Sequence, residues 1–246
     1  MRDYDFLRKN LRWDCEGDGL YRDGSDHYQI DSQRFERASR VIGSTAGLVI
    51  ADFGSFPGFG IWAFRDCRHY IGLGKCPDWY QAALKDMNVE WIEHDFESPE
   101  LPPMPSLRPD VVLLQEVIEH IRQPKKFLKK LYEWMPEGAR LYVTTNNLNY
   151  VGYILKQLAG REIFDPAVTE DSVYPGHCTY YSLRGLADLL VQIGFECRAV
   201  SRQNFLPAAR FYRRRNAAIL KNLIIRSVPG LYATHIELLC EKRRAN

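Results

Sequence analysis

The chain has no apolar run approaching the roughly 20 residues needed to span a bilayer. Its opening stretch, Met1-Arg-Asp-Tyr-Asp-Phe-Leu-Arg-Lys9, also lacks the apolar core of a signal peptide. Cys15, Cys67, Cys76, Cys178, Cys197 and Cys240 contain no Cys-x-x-Cys and no close pair, which argues against a zinc knuckle or a disulfide framework. An excess of one charge is missing too: 33 basic residues face 31 acidic ones, a net of +2. That balance argues against a nucleic-acid partner held mainly through phosphates. There is no internal repeat and no low-complexity tract. These absences lead to the expectation of a globular protein of the reducing cytoplasm. At 246 residues, 46% apolar and 26% charged, the chain suits one domain with embellishments.

What is present is an alternation of strand and helix signals, the mark of a parallel sheet covered on both faces. Strands are expected at Leu48–Asp52, His69–Leu73, Glu90–His94, Asp110–Gln115 and Ala139–Thr145. Helices are expected at Ser32–Ile42, Gly60–Asp66, Asp78–Met87 and Pro124–Met135, the last with proline in its first turn. Residues 146–180 show few periodic apolar positions and read as an insertion. Ser182–Ile193 is amphipathic and ends at Gly194. Phe195–Val200 and His235–Glu241 read as two final strands.

Two strand ends carry the chemistry. Val49-Ile-Ala-Asp52-Phe-Gly54-Ser55-Phe56-Pro-Gly58 is an apolar run that ends in a carboxylate and opens into glycines. A glycine turn lets backbone approach a bound nucleotide closely. Downstream, Asp110-Val-Val-Leu-Leu-Gln115-Glu116-Val-Ile-Glu119-His120 again ends a strand in polar residues. Polar groups at neighbouring strand ends build the ligand crevice of open α/β folds.

The order of these blocks resembles the class I S-adenosylmethionine-dependent methyltransferases from about residue 48 to 200. Its strand-four block is similar to that of small-molecule O-methyltransferases, including those of ubiquinone biosynthesis. The segment 110–124, the helix, Pro-Glu-Gly turn and strand of 131–147, and the later His177, Tyr181-Ser-Leu and Gly194-Phe carry the likeness. It implies a Rossmann-like, seven-stranded, mostly parallel sheet with helices on both faces and an antiparallel last strand. Within one domain over 1–246 it implies an N-terminal helical segment (1–45) and a cofactor-binding core (46–145). An insertion over the active site (146–180) would follow, then a C-terminal helix and strands (181–246) with a basic insertion (203–232).

The resemblance assigns S-adenosylmethionine as cofactor and S-adenosylhomocysteine as product. Asp52, Gly54, Ser55, Phe56 and Gly58 would shape the loop around the methionine part, with Gln115 facing it and Phe56 near the sulfonium. Asp95 and Phe96 would meet the adenine, and Arg34 the cofactor carboxylate. Two positions depart from the family pattern: Phe56 replaces a third glycine, and Gly74 replaces the acidic residue that holds the ribose, leaving Asp78 as a substitute. His177 and His120 are the candidate catalytic residues, His177 as general base or as a structural hydrogen-bonding group. Glu116, Glu119, His120 and His177 would hold a divalent ion if one bound, as in small-RNA 2′-O-methyltransferases. The adopted expectation is that none is needed. A degenerate, non-catalytic pocket is the competing reading, and a nicotinamide oxidoreductase is disfavoured by the missing acid after the second strand. The acceptor is expected to be a small metabolite, a sugar or a lipid-linked molecule. Arg210-Phe-Tyr-Arg-Arg-Arg215 and Ile219–Arg226 give 205–226 a basic and apolar face, for an anionic membrane surface, a phosphorylated substrate or simply solvent.

Overall fold

The structure is a computed structural model that describes residues 26–56, 58–75, 88–161, 163, 176–203 and 229–244. The apolar runs after α1 (Asp26–Ile42) become β1 (Val49–Phe53) and, past the short α2 (Phe59–Ala63), β2 (His69–Leu73). Next come β3 (Val89–Ile92), β4 (Val111–Gln115), α3 (Pro124–Trp134), β5 (Arg140–Asn146) and α4 (Val151–Leu158). α5 (Leu183–Ile193), β6 (Phe195–Gln203), α6 (Pro229–Tyr232) and β7 (His235–Lys242) complete the order.

The strands join in one seven-stranded sheet, β3-β2-β1-β4-β5-β7-β6. β1 to β5 pair in parallel, and β7 is antiparallel to both β5 and β6. This is the expected Rossmann-like sheet with an antiparallel last strand. β1 and β4 are buried along their whole length, which is why they read as unbroken apolar runs rather than alternations. Their side chains still divide by period two. Val49, Ala51, Phe53, Val112 and Leu114 meet Phe127, Leu128 and Leu131 of α3 and Leu186 and Leu190 of α5. Ile50, Val111 and Leu113 meet Phe35, Ala38 and Ile42 of α1 and Ile61 of α2 on the other face. Ser182 caps α5, its Oγ accepting from Gly185 N at 3.0 Å, and Gly194 ends the helix.

Several boundaries moved, among them the helix expected at Gly60–Asp66, which is Phe59–Ala63. The third strand is Val89–Ile92 and stops before His94, because Tyr70 and Leu73 of β2 fix its register. The first helix begins at Asp26, and β6 extends to Gln203, where it still pairs with His235. The expected helix 78–87, Asp78 itself and most of the basic insertion lie outside the described residues. The cysteines also surprise: Cys197 and Cys240 face each other across β6 and β7 with their Sγ atoms 3.0 Å apart. They are 43 residues apart in sequence, and only strand order brings them together. Among the described residues no helix is long and apolar enough to cross a membrane.

Candidate active site

The sheet order reverses between β1 and β4. From β1 the chain moves outward to β2 and β3, then returns to start β4 on the other side. The crevice of an open α/β sheet lies at such a switch point, outside the strands' carboxyl ends. Phe53 pairs with Leu114, so Gly54 and Gln115 lie side by side at that edge.

After β1 the chain turns through Gly54 (φ +79) and Ser55 to Gly58 (φ +102), with Phe56 half-buried in the turn and Gly58 opening α2. Asp52 is buried beneath this turn. Its Oδ2 accepts from the Tyr70 hydroxyl, which lies 3.2 Å from Ser55 Oγ. A methyl group on Gly60 would strike that hydroxyl and lie 2.7 Å from Asp52 Oδ2, so the arrangement needs glycine there. Asp52 Oδ1 has no hydrogen-bond partner among the described residues, and neither amide atom of Gln115 has one. Buried polar atoms are rarely left unmatched; here three converge on one edge.

Burial pushes the Asp52 carboxyl up to about 7, against the downward pull of the Tyr70 hydrogen bond, the Arg34 charge and Ser55. Folding therefore favours the protonated form, so its stabilising contribution is complete below about pH 4 and is lost as pH rises towards 7. The stability of the native chain relative to Asp52→Asn should fall between those limits by on the order of a few kcal/mol. Urea unfolding of both proteins at several pH values reads this directly, and a difference that grows with pH would contradict it.

Arg34 of α1 is buried within electrostatic reach of both Asp52 and Glu116. Asp95 is exposed and accepts from Glu97 N at 2.9 Å, closing the turn that follows β3. Phe96 packs inward on Phe53, with ring centres 5.7 Å apart. Gly74 has φ +125, a conformation that side chains rarely adopt, so the turn itself calls for glycine where the family pattern has an acidic residue. Trp91 Nε1 donates to the Gly74 carbonyl at 2.9 Å and holds that turn. Gly74→Asp should destabilise by about 1–3 kcal/mol and leave S-adenosylhomocysteine affinity unimproved; tighter binding by calorimetry with an unchanged melting temperature would show the strain argument wrong.

The second strand end is strained. Glu116 has φ +55, unusual for a non-glycine residue, and its N–H donates to Thr144 O. This bend turns its carboxylate towards His235, at 3.5 Å, and Asn146, at 3.4 Å. Glu119 is wholly buried and accepts from Thr145 Oγ1 at 2.9 Å. Burial and the adjacent Glu116 raise its carboxyl well above the ordinary range. For Glu116 burial acts upward as well, but His235 and Arg34 outweigh it and the net direction is down.

Glu119, His120 and His177 offer ligand atoms within 4.8 Å of one another. Glu116, the fourth member expected from sequence, is paired with His235 instead. The His120 and His177 rings meet edge to face at 4.8 Å. His177 Nδ1 lies 3.3 Å from the Tyr180 hydroxyl, which donates its one proton to Ile163 O at 2.8 Å. Nδ1 must therefore be the donor to Tyr180, and Nε2 carries the lone pair. Tyr70, Tyr180, Thr145 and His235 escaped the sequence reading. Tyr180 alone had a local signal, three residues after His177; the others meet their partners only through strand order.

Residues 45–200 match the family model described as "Methyltransferase domain". Among solved structures, an S-adenosylmethionine-dependent methyltransferase from Mesorhizobium loti superposes with a TM-score of 0.60 at 15% identity, covering 87% of this chain and all of that one. Magnesium protoporphyrin IX methyltransferase from Synechocystis, with bound S-adenosylhomocysteine, gives 0.57 at 16% identity, covering 98% of this chain and 97% of that one. An S-adenosylmethionine-dependent methyltransferase from Archaeoglobus fulgidus gives 0.56 at 16%, covering 98% of this chain and 100% of that one. No curated protein matches in sequence. The chain belongs to the class I S-adenosylmethionine-dependent methyltransferases, and is an enzyme with that cofactor. Its residues fit the group: the uncommitted Asp52 Oδ1 suits an ammonium, the Gln115 amide suits polar atoms, and buried Arg34 suits a carboxylate.

Proposed function

We propose that this methyltransferase methylates a hydroxyl oxygen of a small metabolite, sugar or lipid-linked acceptor, with His177 as general base. The observation that carries the reading is the hydrogen-bonded chain His177–Tyr180–Ile163, which favours the tautomer with Nδ1 as donor and Nε2 as the basic nitrogen. Asp52, Gln115 and Arg34 would hold the methionine end of the cofactor, and Phe96 would pack beside the adenine. Bound S-adenosylmethionine supplies a methyl group made electrophilic by its sulfonium. His177 would take the proton of the acceptor hydroxyl as that oxygen accepts the methyl group the cofactor would supply. The remaining task of the chain is to align the acceptor and exclude water. The chain's place would be the cytoplasm.

Two measurements test this. S-adenosylhomocysteine at a hundred times its dissociation constant should stabilise by about 2.7 kcal/mol, raising the melting temperature by roughly 5–10 °C. Label from tritiated S-adenosylmethionine should then appear in an alkali-stable product from a metabolite or lipid extract. A melting shift without transfer favours the non-catalytic reading; no shift with folded protein removes the first proposal.

The cluster of Glu119, His120 and His177 favours one second reading, metal-assisted 2′-O-methylation of RNA. Its test is chelation. Here EDTA should leave the rate unchanged, whereas a rate lost to EDTA and restored by Mg²⁺ or Mn²⁺ would move the assignment to RNA.

A further inference from the structure

The cysteine pair at the edge of the sheet takes no part in the crevice. Cys197 of β6 and Cys240 of β7 are directly opposed in the antiparallel register, with their Sγ atoms 3.0 Å apart. Directly opposed residues of antiparallel strands hold their Cα atoms about 4.5–5.5 Å apart, within the span of a disulfide. Both thiols are free. They lie at the end of the sheet away from the site. Cys240 faces Leu141 near the start of β5, whereas His235 faces Asn146 at its end.

The two sulfurs differ in what can reach them. Cys240 is wholly buried in the core, whereas Cys197 is half-buried and packs against that core. A small oxidant from solution therefore meets Cys197 first. The contact also polarises the pair. The hydrogen bond from Cys240 holds the Cys197 thiol below its ordinary range, against burial; the same contact and burial push Cys240 up. The thiolate is the reactive form, so Cys197 is the nucleophile of the two. Other cysteines are placed differently. Burial pushes the Cys67 thiol up to about 11, and the exposed Cys178 meets the carbonyl oxygens of His120 and Gly176.

We infer that Cys197 and Cys240 are a thiol-oxidation site, closing to a reversible disulfide on exposure to hydroperoxides and so locking β6 onto the sheet. The lock has a mechanical sense, because β6 is joined to the sheet by β7 alone and a bulge between Cys197 and Ala199 interrupts that ladder. In the first step the Cys197 sulfur attacks one peroxide oxygen. The O–O bond breaks, Cys197 becomes a sulfenic acid, and with hydrogen peroxide the other oxygen leaves as water. The Cys240 sulfur then attacks the Cys197 sulfur. The S–O bond breaks, and a second water leaves with the Cys240 proton. The two thiols give up two electrons in all, and the peroxide takes them. None of this depends on the methyl-transfer reading.

Peptide mass spectrometry tests the site. The full chain is reduced, freed of reductant, treated with hydrogen peroxide and alkylated with iodoacetamide. The expected product is a linked pair of peptides holding Cys197 and Cys240, lighter than the free peptides by two hydrogen atoms and parted by dithiothreitol. The bond joins residues 43 apart, so the oxidised chain should melt about 6–15 °C above the reduced one. Cys197→Ser, at the half-buried position, should abolish both the linked product and the melting shift. Cys240→Ala should leave Cys197 as a sulfenic acid, and its capture by dimedone should rise severalfold over the native chain. Oxidation of Cys178 while Cys197 and Cys240 both remain alkylatable after unfolding would overturn the inference and leave the pair a packing contact. So would a link between two chains. A linked product with an unchanged melting temperature would overturn the locking of β6.

Discussion

Alanine in place of His177 should slow methyl transfer by about 10²–10⁴-fold, the range over which a positioned base contributes. The melting shift given by S-adenosylhomocysteine should survive the change, because no cofactor-holding role falls to this side chain. Tyr180→Phe makes the more discriminating companion. It removes the hydroxyl that fixes the His177 tautomer through Ile163 O but keeps the ring that stacks on Tyr153. A fall of about tenfold is expected, equivalent to one lost hydrogen bond of 1–2 kcal/mol. It should appear in kcat with KM unchanged, since positioning acts on the reacting state. If His177→Ala transfers methyl at the native rate, the base lies elsewhere and the histidine merely pins the chain after residue 175.

A second large effect is expected far from the crevice. Glu237 is 3% exposed, and its carboxylate accepts from Arg37 Nη2 at 2.7 Å, the Tyr142 hydroxyl at 2.9 Å and Gln203 Nε2 at 3.1 Å. Arg37→Met strands that carboxylate with neutral donors alone. Breaking one side of a buried pair costs about 3–5 kcal/mol, because the remaining charge is uncompensated. For a chain of this size that is a drop of roughly 6–20 °C in melting temperature. Adding Glu237→Gln should recover much of the loss, and the double-mutant cycle isolates the pair. A loss under about 1 kcal/mol in the single variant would place the pair with ordinary surface bridges.

The two predictions differ in how far sequence alone could reach them. The strands β1 and β4 announced themselves as apolar runs ending in polar residues, and their adjacency at the switch point follows from the doubly wound pattern. The places of Asp52 and Gln115 at the ends of these strands were therefore legible, as was the stop at Gly194; Ser182, read as the first residue of its helix, is its cap instead. Arg37 and Glu237 were not legible, because a salt bridge across 200 residues depends on which strand lies between which. The same holds for Glu116, whose partner His235 faces Asn146 only once β7 enters beside β5. Gly74 shows the opposite limit. Its place at the end of β2 was evident, but the positive φ that bars an aspartate there is a property of the turn held by Trp91.

The position of β7 has a consequence for how the protein is made. β6 is synthesised before β7 but touches only β7 within the sheet, so until residues 235–242 have emerged β6 has nowhere to pair. Over the same interval β5 shows a bare edge, Arg140 to Asn146, to the surrounding medium. A ribosome-bound chain halted after β6 would thus carry two unsatisfied strands, the state most open to chaperones and to pairing with another molecule. Parallel pairing from β3 to β5 can form during synthesis, while closure of the sheet waits on one late strand.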